Sequence, residues 1–68
     1  MKIFAQRLKE LRIQNNYSQK YMAEQLHIKQ QSYSRYELAT GEPSLETLRK
    51  IAILFNVTTD YLVGLEDY

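Results

Sequence analysis

The sequence predicts an all-α fold of five short helices, and three observations support this prediction. No segment alternates polar and apolar residues with a period of two, so strands are not indicated. Apolar residues recur instead at helical spacing, and the strongest breakers are Gly41, Pro43 and Gly64. With 68 residues and no cysteine, the chain has room for one domain, over 1–68, whose core must form by burial alone.

The first two helices follow from apolar spacing and from one capping residue. The first is indicated by apolar residues on one face, Phe4, Leu8 and Leu11. It should run from about Ile3 to Gln14, where two asparagines can close it. Ser18 can cap a second helix from Gln19 to about Leu26, with Tyr17 before the cap placed to pack on Met22.

The remaining helices repeat this pattern of an apolar residue before the cap and another five positions later. We place them at about Gln30–Leu38, Leu45–Phe55 and Thr59–Val63, the last ended by a glycine. The fourth helix is expected to bury one apolar face, made of Leu45, Leu48, Ile51, Ala52 and Phe55. The tight connection after the second helix predicts a helix-turn-helix over about 18–38, with the C-terminal helices at about 45–63.

Charge is distributed unevenly along the chain. Residues 1–36 carry seven Lys or Arg side chains against two carboxylates, whereas residues 37–68 carry two against six. The overall net charge of +1 hides this difference. Such asymmetry indicates one surface suited to a polyanion.

The third helix presents groups that can read base edges. At 100° per residue its tyrosines, Tyr33 and Tyr36, point inward. The outward arc then holds an amide, a hydroxyl and a guanidinium, from Gln31, Ser34 and Arg35, with Gln30 beside them on the exposed first turn. Gln can pair with adenine and Arg with guanine through two bonds each, and each such pair discriminates by about 1–3 kcal/mol. A polar helix start alone would be unspecific, so the surrounding pattern decides the interpretation.

That pattern resembles the Cro and lambda-type repressors, the XRE-family helix-turn-helix proteins. The resemblance covers nearly the whole chain and is carried by Phe4, Arg7-Leu8-Lys9, Leu11-Arg12, Tyr17-Ser18-Gln19, Met22-Ala23, Ile28, Tyr33-Ser34-Arg35-Tyr36-Glu37, Pro43-Ser44-Leu45-Glu46-Thr47-Leu48, Ile51-Ala52, Val57 and Asp60-Tyr61-Leu62. It implies a compact five-helix, lambda-repressor-like domain that binds double-stranded DNA sequence-specifically, as a transcriptional regulator and more specifically a repressor.

The resemblance also implies roles for individual residues. It implies that Gln19, at the start of the second helix, clamps a phosphate and sometimes a base, and that Gln30, Gln31, Ser34 and Arg35 contact the major groove. Arg12 and Glu37 occupy positions that pair across the first and third helices in similar repressors, so we favour a structural ion pair over a phosphate contact for Arg12.

The sequence departs from the family pattern at two turns. His27 stands where Gly is usual, so a positive φ there would be strained. Lys29 replaces the usual Ser or Thr cap of the third helix and sets a cation where phosphate would lie. The loop 38–42 has no cation, so we expect its backbone amides to meet phosphate and place Thr40 among the DNA-binding residues.

One subunit supplies little discrimination for a regulator, which favours a homodimer on a palindromic operator. In the C-terminal half, the apolar or aromatic candidates for the interface are Ile53, Tyr61, Val63 and Leu65, and we expect the fifth helix and the tail to build it. Local packing of the last turn is the alternative use of these side chains.

A second function remains open, namely an antitoxin or anti-repressor module whose main partner is another protein. An enzyme is not expected, because the sequence offers no nucleophile–base pair, metal cluster or phosphate loop. We expect no cofactor, metal, small-molecule substrate or membrane span. The expected setting is the cytoplasm of a bacterium, with a bacterial or phage origin.

Overall fold

A computed structural model describes residues 1–67 of the chain. The helices are α1 (Lys2–Gln14), α2 (Gln19–Leu26), α3 (Gln30–Glu37), α4 (Leu45–Phe55) and α5 (Thr59–Val63), and no strand occurs in these residues. The all-α prediction is therefore confirmed. The predicted bounds of α2, α4 and α5 agree with the structure, whereas α1 begins one residue earlier than expected and α3 ends one residue sooner, at Glu37.

Side-chain caps begin three of the five helices. The Ser18 hydroxyl accepts a hydrogen bond from the Tyr21 backbone N–H, at 2.9 Å, and Ser44 and Thr58 cap α4 and α5 in the same way. These bonds satisfy backbone donors that a helix start leaves without a partner. Lys29 occupies the cap position of α3 and makes no such bond, so α3 lacks this stabilisation.

Every helix ends in the same way, with a hydrogen bond that spans six residues and one residue in the left-handed conformation. For α2 the Ile28 N–H donates to the Ala23 carbonyl at 3.0 Å while His27 has φ 56°. This is the Schellman arrangement, which usually takes Gly at the left-handed position. Here the left-handed residues are Asn16, His27, Ala39, Asn56 and Gly64. The strain expected at His27 has its structural basis in this conformation, and Ala39 shares it.

The core lies between all five helices. Helix α1 packs against α3 and α5, α2 packs against α3 and α4, and α4 packs against α5. The buried apolar side chains are Phe4, Leu8, Met22, Ala23, Leu26, Tyr33, Leu48, Ile51, Ala52 and Leu62. This arrangement leaves the outer face of α3 uncovered.

The expected burial of α4 is correct in its middle and wrong at its start. Leu48, Ile51 and Ala52 are buried and Phe55 is half-buried, but Leu45 is 80% exposed. At 100° per residue Leu45 lies about 90° from the centre of the buried arc, in the first turn. Thr47 is buried in the same region. Apolar spacing alone thus predicted wrongly that Leu45, in the first turn of α4, faces the core.

Candidate nucleic-acid interface

The outer face of α3 carries the predicted base-reading groups. Gln30, Gln31 and Arg35 are exposed, and Ser34 is half-buried. The opposite side of the helix is anchored by Tyr33, which is completely buried. The inward position predicted for Tyr33 is therefore confirmed, and it fixes which side of α3 faces outward.

Tyr36 lies at the edge of the core. Its side chain is half-buried, and its ring meets those of Phe4 and Tyr33 edge-on at centroid distances of 6.4 and 6.2 Å. Edge-to-face pairs at such distances are favourable. Tyr36 thus helps to fix α3 on α1, although it is less buried than the sequence predicted.

The two cations beside this face are exposed and free of carboxylates. Lys29 lies just before α3 and Arg35 in its last turn. Within residues 1–67 no carboxylate comes within 4.0 Å of either charge. Their positive charge is consequently available to a ligand instead of being used inside the fold.

The loop after α3 uses part of its backbone internally. The N–H of Thr40 donates to the Arg35 carbonyl at 3.0 Å, and that of Ala39 to the Tyr36 carbonyl at 3.4 Å. The Thr40 side chain is exposed, with its hydroxyl 3.5 Å from the same Arg35 carbonyl. At Thr40 the hydroxyl is therefore freer than the backbone amide to meet a ligand.

Gly41 lets this loop approach α3 closely. A Cβ atom at Gly41 would lie 3.1 Å from the Arg35 Cβ, which is tighter than ordinary packing. Ser32, Arg35 and Tyr36 line a shallow cleft together with Gly41 and the following residue. The glycine thus allows the loop to support the stem of Arg35 directly.

The structure brings Arg12 and Glu37 into contact across α1 and α3. The Arg12 Nε and Nη2 atoms donate to the two Glu37 carboxylate oxygens at 2.6 and 3.0 Å. The side chains are 15% and 4% exposed. Nη1 of the same guanidinium donates to the Tyr17 carbonyl at 3.1 Å, so all three guanidinium nitrogens of Arg12 have a partner within the fold.

Two further side chains bond to the Glu37 carboxylate, and the sequence did not predict either contact. The Tyr33 hydroxyl donates to Oε2 at 2.5 Å, and Nε2 of Gln19 donates to Oε1 at 3.2 Å. The spacing of Tyr33 and Glu37 by one helical turn could have indicated the first contact. No local signal indicates the second, because it depends on how α2 and α3 cross.

The carboxylate network shifts the titration of its members. Burial alone would raise the pKa of the Glu37 carboxyl, but hydrogen bonds from Arg12 and Tyr33 outweigh burial and hold that pKa below its ordinary value. Burial and the hydrogen bond to Glu37 raise the pKa of the Tyr33 hydroxyl. The hydrogen bond to Glu37 likewise raises the pKa of Arg12. Glu37 is therefore charged at neutral pH, and Tyr33 is neutral.

The predicted interface residues do not form one patch. Ile53 is 76% exposed and borders a groove of about 340 Å³ with Leu26, His27 and Leu54. Val63 is half-buried and borders a separate cleft with residues 1–4. The two side chains therefore mark different surfaces of the domain.

Tyr61 and Leu65 complete this set. The Arg7 guanidinium lies over the Tyr61 ring, 4.3 Å from its centroid, and the same side chain donates to the Tyr61 and Glu66 carbonyls. Tyr61 is half-buried, and these contacts join it to α1. Leu65, by contrast, is 77% exposed and remains available on the tail.

Over 1–67 no helix reaches the length and mean hydropathy of a membrane span, and no three His, Cys, Asp or Glu side chains converge as metal ligands would. These findings concern the described part of the chain.

Comparison with known proteins relates the chain to bacterial transcription regulators. It is 43% identical over 61 residues to the SPbeta prophage-derived uncharacterized HTH-type transcriptional regulator YonR of Bacillus subtilis, covering 90% of this chain and 56% of the relative. It is 44% identical over 61 residues to the HTH-type transcriptional regulator ImmR of the same organism, with 90% and 48% covered.

A more distant relative is the cryptic phage CTXphi transcriptional repressor RstR of Vibrio cholerae, 30% identical over 62 residues, with 91% of this chain and 56% of the relative covered. The chain thus spans about half the length of the curated relatives it matches. No solved structure matches it significantly. The helix-turn-helix family profile matches residues 8–62, from the middle of α1 to α5. Because this match covers most of the chain, the chain belongs to the helix-turn-helix family.

Proposed function

We propose that the chain binds double-stranded DNA sequence-specifically and regulates transcription, most simply as a repressor. The observation that carries this proposal is the outer face of α3, where Gln30, Gln31 and Arg35 stand exposed on a helix anchored by buried Tyr33. Two amides and a guanidinium on an accessible helix match the donors and acceptors of the major groove. The relatives' description as transcription regulators supports the same function.

Within this proposal the side chains have distinct roles. Arg35 pairs with guanine, Gln30 and Gln31 read neighbouring bases, and Ser34 contacts the same groove from its half-buried position. Lys29 and the Thr40 hydroxyl bind backbone phosphates on either side of α3. Arg12 does not bind DNA, because each of its three guanidinium nitrogens already bonds to Glu37 or to the Tyr17 carbonyl.

The activity requires no catalytic group, metal or cofactor. It belongs in the cytoplasm of a bacterium, where the chromosome and any prophage are accessible. The antitoxin alternative gains no support from the relatives, which are described as transcription regulators.

Selection of bound sequences from random duplex DNA tests the function directly. We expect enrichment of one motif made of two inverted half-sites whose centres lie roughly 34 Å apart. Binding without any enriched motif would contradict sequence-specific recognition. A single half-site would retain base reading but contradict the palindromic operator.

We propose further that two copies bind such an operator as a homodimer, through α5 and the tail. Leu65 offers an exposed apolar side chain there, and Val63, two residues earlier at the end of α5, is half-buried. Three base contacts of about 1–3 kcal/mol each supply little discrimination from one subunit, and a second copy doubles them.

Sedimentation of the wild type and of two charge variants tests this assembly. Leu65→Glu should reduce association strongly, because a carboxylate would be buried at the contact. Ile53→Glu introduces the same charge at an equally exposed site on the other surface, and shows whether the α4 groove belongs to the interface. A wild type that stays monomeric at high concentration and on its operator would contradict the dimer.

A further inference from the structure

Gln19, the first residue of α2, is the only predicted DNA contact whose side chain bonds to another side chain within residues 1–67. Its side chain is half-buried, and its Nε2 atom lies 3.2 Å from the Glu37 Oε1 atom. The side chains of Gln30, Gln31 and Arg35 make no hydrogen bond in the same residues. Gln19 is thus placed between the DNA-facing surface and the interior.

We propose that Glu37 is a positioning residue for DNA binding, which holds the Gln19 amide in one orientation with an N–H directed at a phosphate oxygen of the duplex. This inference rests on the proposed function. Glu37 itself touches no DNA in this arrangement, because its side chain is nearly buried. Its effect on the phosphate contact passes through Gln19.

The chemistry of the carboxylate decides the orientation of the amide. An ionised carboxylate only accepts hydrogen bonds, so the NH₂ group of Gln19 must face Glu37 and the carbonyl oxygen must point away from it. One N–H is used by Glu37, and the second has no partner within residues 1–67. A phosphate oxygen, which only accepts, can bind that second N–H. With the amide reversed, its oxygen would face the carboxylate, and both groups would be acceptors.

The Glu37 carboxylate can orient Gln19 because other hydrogen bonds hold it in one position. Arg12 binds both of its oxygens and Tyr33 donates to one of them, so α1 and α3 both restrict its movement. A glutamine held by such a group has already lost the rotamer freedom that DNA binding would otherwise remove. Preorganisation of this kind favours binding without adding a contact.

Side-chain amide relaxation in the free protein tests the orientation without DNA. The Gln19 NH₂ group should be clearly more ordered on the picosecond–nanosecond timescale than those of Gln30 and Gln31, which are exposed residues of the same type. In Glu37→Gln, whose amide can donate as well as accept, the Gln19 group should become as mobile as these two controls. Equal mobility of all three groups in the wild type would overturn the proposal, even if Glu37→Gln fails to fold.

A double-mutant cycle on a selected DNA duplex tests the consequence for binding. Glu37→Gln should weaken wild-type binding, and about fivefold of that loss should vanish when Gln19→Ala is already present, because residues in one hydrogen-bonded network couple to this extent. The matched cycle with Gln31→Ala should show no coupling. Additive effects in both cycles would overturn the proposal.

The two measurements separate the inference from the function on which it rests. An ordered Gln19 amide in a protein that shows no preference among DNA sequences contradicts the proposed function. Sequence-specific binding combined with a mobile amide, or with additive losses, contradicts the role of Glu37 and leaves the function intact.

Discussion

Arg35 and Glu37 lie two residues apart on α3, and their surroundings are opposite. Arg35 is exposed and has no carboxylate partner in residues 1–67. Glu37 is nearly buried and accepts hydrogen bonds from three side chains. The same short helix thus has a face whose polar groups are unused and an end whose polar group is saturated. The difference separates the groups available for recognition from the groups that hold α3 in place.

Removal of the Glu37 carboxylate should give the largest loss of stability. In Glu37→Ala the free energy of unfolding should fall by about 3–5 kcal/mol, because Arg12 and Tyr33 lose the partner that compensates their burial. Urea unfolding measures this change. Glu42→Ala, in the loop after α3, removes an exposed carboxylate and should change stability by no more than about 0.5 kcal/mol. Similar losses in both variants would show that the bonded Glu37 carboxylate stabilises the fold no more than an exposed carboxylate does.

A double-mutant cycle of Glu37→Ala with Arg12→Ala tests whether the loss of stability comes from the ion pair between these side chains. The losses in Glu37→Ala and Arg12→Ala should be strongly non-additive, since each variant breaks the same pair. Additive losses would show that the two side chains stabilise the fold separately.

Acid should reproduce part of this loss in the intact protein. The pKa of Glu37 is held below its ordinary value in the folded state. The carboxylate's contribution to stability is therefore complete above the pKa of the unfolded state, about 4.3. The contribution disappears as the pH falls through the lower, folded pKa. Chemical unfolding at a series of pH values should therefore show a steeper acid loss in wild type than in Glu37→Gln. Parallel curves would assign the acid sensitivity to other carboxylates.

Glycine at the left-handed positions of two helix ends should raise stability, by less than the loss of Glu37 lowers it. His27→Gly and Ala39→Gly should each stabilise the protein by about 0.5–1 kcal/mol. Relief of the left-handed conformation gains roughly 1–2 kcal/mol, and the added freedom of the unfolded chain costs roughly 0.4–1 kcal/mol. Thermal unfolding measures the difference.

Gly64→Ala is the reverse experiment. It places a Cβ at φ 90° and 3.0 Å from the Ile3 Cγ2 atom, and should destabilise the fold. If it leaves the melting temperature unchanged while the glycine variants lower theirs, conformational strain at these turns does not limit stability.

These helix ends also show what the sequence can predict. Ser18, Ser44 and Thr58 act on donors three residues away, so the starts of α2, α4 and α5 were predictable from local sequence. Exposure of Leu45 depends on which neighbouring helices cover the first turn of α4, and spacing alone gave the wrong side. The bond between Gln19 and Glu37 joins residues 18 positions apart, so it follows from tertiary arrangement and has no local signature.

Lys29→Ala should have the smallest effect on the fold. Its side chain is exposed and forms no cap, so the melting temperature should stay within about 1–2 °C of wild type, as a change of a few tenths of a kcal/mol allows. Affinity should fall by a similar factor for every DNA sequence, and the salt dependence of binding should decrease by about one phosphate contact. A change in sequence preference would instead make Lys29 a base-reading residue.

The most direct test of base recognition by α3 is the affinity of Arg35→Ala for a complete set of single-base variants of the selected site. We predict a loss of about 1–3 kcal/mol on the best site, and loss of preference at one G·C pair in each half-site while preferences elsewhere remain. The melting temperature of the free protein should not change. An equal loss on every variant, with all preferences retained, would assign Arg35 to phosphate and contradict the account of α3 as the element that reads sequence.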